Sequence, residues 1–200
     1  MIKILFLHGF FASGSCVLAQ TLRRALEPEI KVFTPDLPLH PQEALAMIQT
    51  FCQEEHPDLL VGNSCGAFYA QIISSRMGIP ALLGNPHLEM TKFLTSRIGS
   101  HQYKSPRFNG NQQFVIDEAL IDEFAEVQKN QFNDYQRVWR DKIYGLFGEN
   151  DGLAHYEPIF LNYYTKSFHF PGAHTPTAEE VEQYYVPLVR QILENMLLLN

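Results

Sequence analysis

At 200 residues the chain is long enough for one domain with a substantial core, and a hydrophobic content of 46% marks an ordinary globular sequence. Fifteen Lys and Arg against 22 Asp and Glu leave a net charge of −7, which argues against binding to a nucleic-acid backbone and against adsorption to an anionic membrane. Cys16, Cys52 and Cys65 form an odd set without metal-ligand spacing, so a disulfide framework and a metal site are both disfavoured and a reducing compartment fits. The apolar runs at the two ends, Met1 to Leu7 and Met196 to Leu199, are too short for a signal peptide or a membrane span. The expectation is a soluble cytoplasmic protein, with the second run as the packed end of a helix.

In chain order, Ile2 to Leu7 is a continuous β-favouring run that reads as a central parallel strand. A glycine-bearing loop follows from His8 to Ser15, and Val17 to Leu26 has helical spacing. Ile30 to Thr34 reads as the second strand, and Pro41 opens a helix to Glu55. Asp58 to Val61 is a third strand, followed by a helix from Cys65 to Met77 that stops at Gly78. Ile79 to Gly84 is the fourth strand. The alternation then breaks. Residues 87–141 show no clear strand pattern, apart from a helical stretch from Ile116 to Gln128, and read as an insertion over the C-terminal edge of the sheet, either lid or packing layer. Ile143 to Phe147 is the fifth strand, Tyr156 to Tyr164 a helix, Lys166 to Phe170 the sixth strand, and Thr177 to Leu198 a final helix opened by a Thr-Ala-Glu-Glu capping box. Strand–helix alternation of this kind predicts an α/β class, a minimal doubly wound and mostly parallel six-stranded sheet of order 2-1-3-4-5-6, helices on both faces, in one domain over residues 1–200.

The chemistry centres on Gly62-Asn63-Ser64-Cys65-Gly66, a Gly-x-Ser-x-Gly nucleophile elbow between a strand and a helix. Ser64 must sit on a strained turn, so its flanks at plus and minus two must be small, and the helix that starts at Cys65 aims free N–H groups at the same spot. Active sites of doubly wound folds gather at the C-terminal ends of strands. Ser64 follows the third strand, Asp151 the fifth and His174 the sixth, in the order Ser…Asp…His expected of α/β-hydrolases. A serine hydroxyl needs a neighbouring base, which His174 supplies, and Asp151 would orient the imidazole. Glu149 competes with Asp151 in the same loop, and Asp151 has the better register after Gly148. The backbone N–H groups of Phe10 and Cys65 are the expected oxyanion donors. Cys65 contributes its backbone rather than its thiol. His8 orders its loop, and His155 and His169 are structural.

No cofactor or metal is called for, and the expected partner is a small-molecule ester or thioester. Lys92, Arg97, Lys104 and Arg107, against Glu89 alone, give the start of the insertion a basic bias that suits either an anionic substrate or, more simply, a solvated face. Tyr103, Phe108 and Trp139 are aromatic candidates for a pocket between the insertion and the Phe10-Phe11 loop.

Taken together, Leu7-His8-Gly9-Phe10, the elbow, Asn85-Pro86, the Asp151 and His174 loops and Gly110 to Val115 resemble the small bacterial α/β-hydrolases of the YqiA/YcfP-like esterase family over nearly the whole chain. The resemblance implies a compact α/β-hydrolase lacking the first two strands of larger relatives, hydrolysis of carboxylic esters or thioesters, and nucleophile, acid and base at Ser64, Asp151 and His174. The chain departs from the family pattern at Cys65, where many relatives carry leucine, and in a longer acid loop. The same triad also serves carbon–carbon lyases, and the fold occurs in non-catalytic binding proteins.

Overall fold

A computed structural model describes residues 1–198. Six strands form one sheet: β1 (Ile2–Leu7), β2 (Ile30–Phe33), β3 (Leu59–Asn63), β4 (Ala81–Gly84), β7 (Ile143–Gly148) and β8 (Lys166–Phe170), in the order β2-β1-β3-β4-β7-β8. All five pairings are parallel. Helices α1 (Val17–Leu26), α2 (Pro41–Glu55) and α3 (Cys65–Met77) connect the first four strands. Both faces of β1 are buried, which explains its unbroken apolar run. Ile4 and Phe6 pack with α1 and the C-terminal helix, whereas Leu5 and Leu7 pack with α2, α3 and the insertion.

The expected order 2-1-3-4-5-6 describes this sheet, but the chain contains two further strands between its fourth and fifth members. β5 (Gly99–Gln102) and β6 (Gln113–Ile116) pair as an antiparallel hairpin within the insertion. They escape a periodicity reading because each has only four residues and Gly-Ser-His-Gln has no apolar position. Ile116 therefore ends a strand instead of starting a helix. Helix α5 (Glu118–Asn130) begins two residues after it, and Asp117 between them accepts the Leu120 N–H at 2.9 Å as N-cap. Between β4 and β5 lies α4 (Met90–Thr95). Phe114, Leu120 and Phe124 anchor the insertion on α2 and α3 in the core. The helix expected over 156–164 shortens to α6 (Glu157–Leu161). Beyond it the chain turns so that Tyr163 stacks on Phe132 with ring centroids 3.8 Å apart, while Tyr164 is buried.

The C-terminal helix starts at α7 (Ala178–Glu180), where the capping box is complete. It passes through one π-helical segment (Val181–Tyr185) and continues as α8 (Val186–Leu197), while Leu199 lies outside the described residues. At the end of this segment Tyr185 is buried, and its hydroxyl donates to Asn63 Oδ1 at 2.9 Å. No helix among the described residues is long and apolar enough to cross a membrane.

Candidate active site

The elbow is built by sterics. A Cβ on Gly66 would stand 1.9 Å from the Leu7 carbonyl oxygen, and one on Gly62 would stand 2.4 Å from the Gly66 carbonyl oxygen. Only glycine lets α3 approach β1 and β3 this closely. Ser64 between them takes φ 56° and ψ −119°, a conformation disfavoured for a side-chain-bearing residue. Its N–H donates to Gly84 O, and its carbonyl accepts from His87 N–H and two α3 amides, so the surrounding chain holds the turn.

Three side chains distant in sequence meet there. Ser64 Oγ is 2.8 Å from His174 Nε2, and His174 Nδ1 is 2.8 Å from Asp151 Oδ2. Burial alone would raise the Asp151 carboxyl, but hydrogen bonds from His174 and from the N–H groups of Leu153 and Ala154 outweigh it and hold the group below the ordinary carboxylate range. An ionised Asp151 only accepts, so Nδ1 of a neutral His174 carries the proton and Nε2 presents its lone pair to the Ser64 hydroxyl. Glu149 is exposed, and of the two acids in the loop it is Asp151 that meets the histidine.

The loop after β1 forms the opposing wall. Gly9 sits so close that an added Cβ would lie 3.4 Å from Ser64 Cβ. Among the described residues, neither the Phe10 nor the Cys65 amide has a hydrogen-bond acceptor, which leaves both available to a ligand. His8 is buried and fixes this loop: its Nε2 accepts the Leu37 N–H at 2.9 Å, so Nδ1 carries the proton and donates to Gly9 O at 2.8 Å. Burial lowers its pKa to about 4, in keeping with a neutral structural ring. The Cys65 thiol is also buried, and its pKa is pushed up to about 12, so no thiolate competes with the Ser64 hydroxyl. His169 bonds Glu157 at 2.9 Å, away from the site, and His155 is exposed.

Two residues here were not recognised from sequence. Asn85, at φ 39°, accepts the Gly148 N–H at 2.7 Å and donates to the carbonyls of Ala173 and His174 at 2.9 and 3.0 Å. One side chain thereby joins the loop bearing Asp151 to the loop bearing His174. His87, buried, has its ring centroid 6.3 Å from that of His174, and burial lowers its pKa to about 4. Both follow the C-terminal end of β4, and strand-end position was the signal that could have flagged them.

A cavity of about 250 Å³ opens on Ser64 and His174, walled by Phe10, Phe11, Phe93, Leu153 and Lys104. Of the aromatic candidates named from sequence, Tyr103 lines an adjoining crevice with Phe10, Cys65 and Tyr69, whereas Trp139 packs on Gly78 and Phe108 is 68% exposed. Proximity along the chain did not reveal Phe93, which reaches the cavity from α4. No group of His, Cys, Asp and Glu among the described residues is arranged to hold a metal ion.

The fold recurs in solved structures. The protein Est1E from Butyrivibrio proteoclasticus superposes with a TM-score of 0.69 at 12% identity, covering 96% of this chain and 88% of that one. A monoacylglycerol lipase from Paleococcus ferrophilus gives 0.70 at 15% identity, with 96% and 94% covered. The esterase domain of a Rhodothermus marinus protein gives 0.64 at 18% identity, with 95% and 87% covered. At these identities the likeness establishes the α/β-hydrolase fold. A family model matches residues 3–163, a span that includes Ser64, Asn85 and Asp151. On that match, and in agreement with the YqiA/YcfP-like resemblance of its motifs, the chain belongs to the uncharacterised protein family UPF0227.

Proposed function

We propose that the chain is a serine hydrolase that cleaves carboxylic esters or thioesters of small acyl substrates through an acyl-enzyme intermediate. The observation that carries this reading is the unbroken contact chain from Ser64 Oγ through His174 to Asp151, at 2.8 Å on each side of the imidazole. His174 Nε2 takes the hydroxyl proton as Ser64 Oγ bonds to the acyl carbon. Asp151 stabilises the resulting imidazolium. The developing oxyanion receives the N–H groups of Phe10 and Cys65, each such donor typically contributing about 3–4 kcal/mol. The imidazolium returns its proton to the leaving alcohol or thiol as that bond breaks. Water then repeats the sequence on the acyl-enzyme, which frees the acid and restores the Ser64 hydroxyl.

A cavity of about 250 Å³ suits a short acyl group, and the esterase and lipase names of the structural neighbours are consistent with ester chemistry. The three unpaired cysteines fit a cytoplasmic setting. The test is hydrolysis of p-nitrophenyl acetate and butyrate by wild type and Ser64→Ala, together with fluorophosphonate labelling. Turnover and labelling are expected in the wild type and lost in the variant. Equal hydrolysis by both proteins overturns the proposal.

A further inference from the structure

The basic bias at the start of the insertion resolves into four separate environments. Arg107 is nearly buried, donates to Leu37 O at 3.0 Å, stacks on the Tyr103 ring at 4.4 Å and faces Asp36. Arg97 lies 4.0 Å over the Phe93 ring and donates to Phe93 O and Ser96 Oγ. Lys92 is exposed and does not line the cavity. Lys104 is exposed as well, but it does line the cavity, together with Ser64 and His174. Its ammonium is 5.8 Å from the Phe11 ring centroid, and among the described residues no carboxylate comes within ion-pair distance of it.

The backbone beneath Lys104 is fixed. Its N–H donates to Phe11 O at 2.7 Å, the neighbouring Ser105 and Ser13 hydroxyls are 2.9 Å apart, and Ser13 and Ser15 both donate to Pro106 O. The segment is thus sewn to the loop that carries the Phe10 amide. Meanwhile no carboxylate lines the cavity, in a chain with net charge −7. The nearby acid, Asp151, is buried and occupied by His174, Leu153 and Ala154.

We propose that this cavity selects substrates carrying an anionic group, a carboxylate or phosphate, which pairs with Lys104 while the apolar part of the substrate lies against Phe10, Phe11 and Phe93. The proposal builds on the hydrolase reading above. A neutral substrate would take water from the ammonium and offer nothing in return, whereas an anion replaces that water with a counter-charge. The anion could belong to the acyl part or to the leaving group, and both present the same chemistry to Lys104.

The test compares esters matched except for charge. Mono-p-nitrophenyl glutarate against p-nitrophenyl butyrate probes the acyl side. 4-Carboxyphenyl butyrate against phenyl butyrate, followed by acid release, probes the leaving side. On one of these sides the wild type is expected to show an anionic-to-neutral ratio of kcat/KM of about five or more, the order expected of a partly exposed ion pair. Lys104→Met should bring the ratio to about one, Lys104→Glu should invert it, and added salt should compress it. Ratios that are the same in all three proteins overturn the proposal while leaving the esterase reading intact. Binding is read separately on Ser64→Ala, which needs no turnover, with monomethyl glutarate and 4-carboxyphenyl butyrate as anionic ligands and dimethyl glutarate and phenyl butyrate as their neutral counterparts. Tighter binding of an anionic ligand, lost when Lys104→Met is added, supports the proposal even if the wild type hydrolyses none of the esters, an outcome that would count against the hydrolase reading alone. Equal binding within both pairs overturns it.

Discussion

The elbow and the insertion lie at the same end of the sheet, yet different forces hold them. At the elbow, backbone meets backbone. Gly62 and Gly66 leave no room for a methyl group, and Ser64 sits in a conformation that its neighbours impose. In the insertion, side chain meets side chain. Phe114 touches the rings of Phe10, Phe11, His101 and Tyr103 at centroid distances of 5.6, 5.4, 5.7 and 4.5 Å, and such packing can adjust to a changed partner. The geometry of the proposed chemistry is therefore rigid, while the wall that would choose the substrate is open to variation.

Mutation tests this contrast most strongly at the elbow. Ser64→Ala should lower kcat for p-nitrophenyl butyrate by about 10⁴-fold or more without unfolding the protein, as steady-state kinetics and a thermal melt would check. Gly66→Ala should cost about 4 kcal/mol or more of stability, read by urea unfolding, because its Cβ would meet the Leu7 carbonyl oxygen at 1.9 Å. A well-folded, active Gly66→Ala protein would break the contrast outright.

Acid tests the two segments beside the elbow, the loop after β1 with His8 and the turn after β4 with His87. His8 and His87 are both held near a pKa of about 4, below the ordinary 6.5 of the unfolded chain, so the unfolded state binds more protons between those values. The stability they contribute is fully present above the unfolded pKa and is lost as pH falls toward the folded one. Unfolding free energy should drop by about 2 kcal/mol per histidine between about pH 7 and about pH 5, and His8→Asn should remove its share of that slope. A flat profile would mean that neither ring is held neutral by burial.

Smaller effects are expected where a side chain, not the backbone, makes the connection. Asn85→Ala strips partners from Gly148 N–H and from the carbonyls of Ala173 and His174, which should cost about 2 kcal/mol of stability. As Asn85 acts by positioning, kcat should fall about 10- to 100-fold while KM changes little. A rise in KM alone would give Asn85 a different role. Phe114→Leu, inside the insertion, should cost only about 1 kcal/mol, read as a shift in the urea midpoint. If it proved more damaging than Gly66→Ala, the rigid and the adaptable region would have to be exchanged.

The elbow was legible in the sequence because a steric demand writes itself as residue type: two glycines at fixed spacing around a serine, after an apolar strand and before a helix. Asp151 and His174 were legible for a related reason, since strands of a doubly wound sheet end at one rim and turn residues mark those ends. Asn85 stood in plain view after the fourth strand, but nothing in its neighbours reveals that its side chain spans two loops more than sixty residues further on. The hairpin of β5 and β6 was hidden because four-residue strands carry too little periodicity, and Gly-Ser-His-Gln carries none.

The sequence alone thus determined the sheet, the elbow and the candidate trio, because each rests on local sterics or on the period of buried residues. Only the tertiary structure decided which aromatics wall the cavity, which of four cations faces it, and which side chain ties the loop of Asp151 to the loop of His174. Those are contacts between segments far apart in the chain. They are set by how the insertion folds back over the rim, and no local spacing records that path.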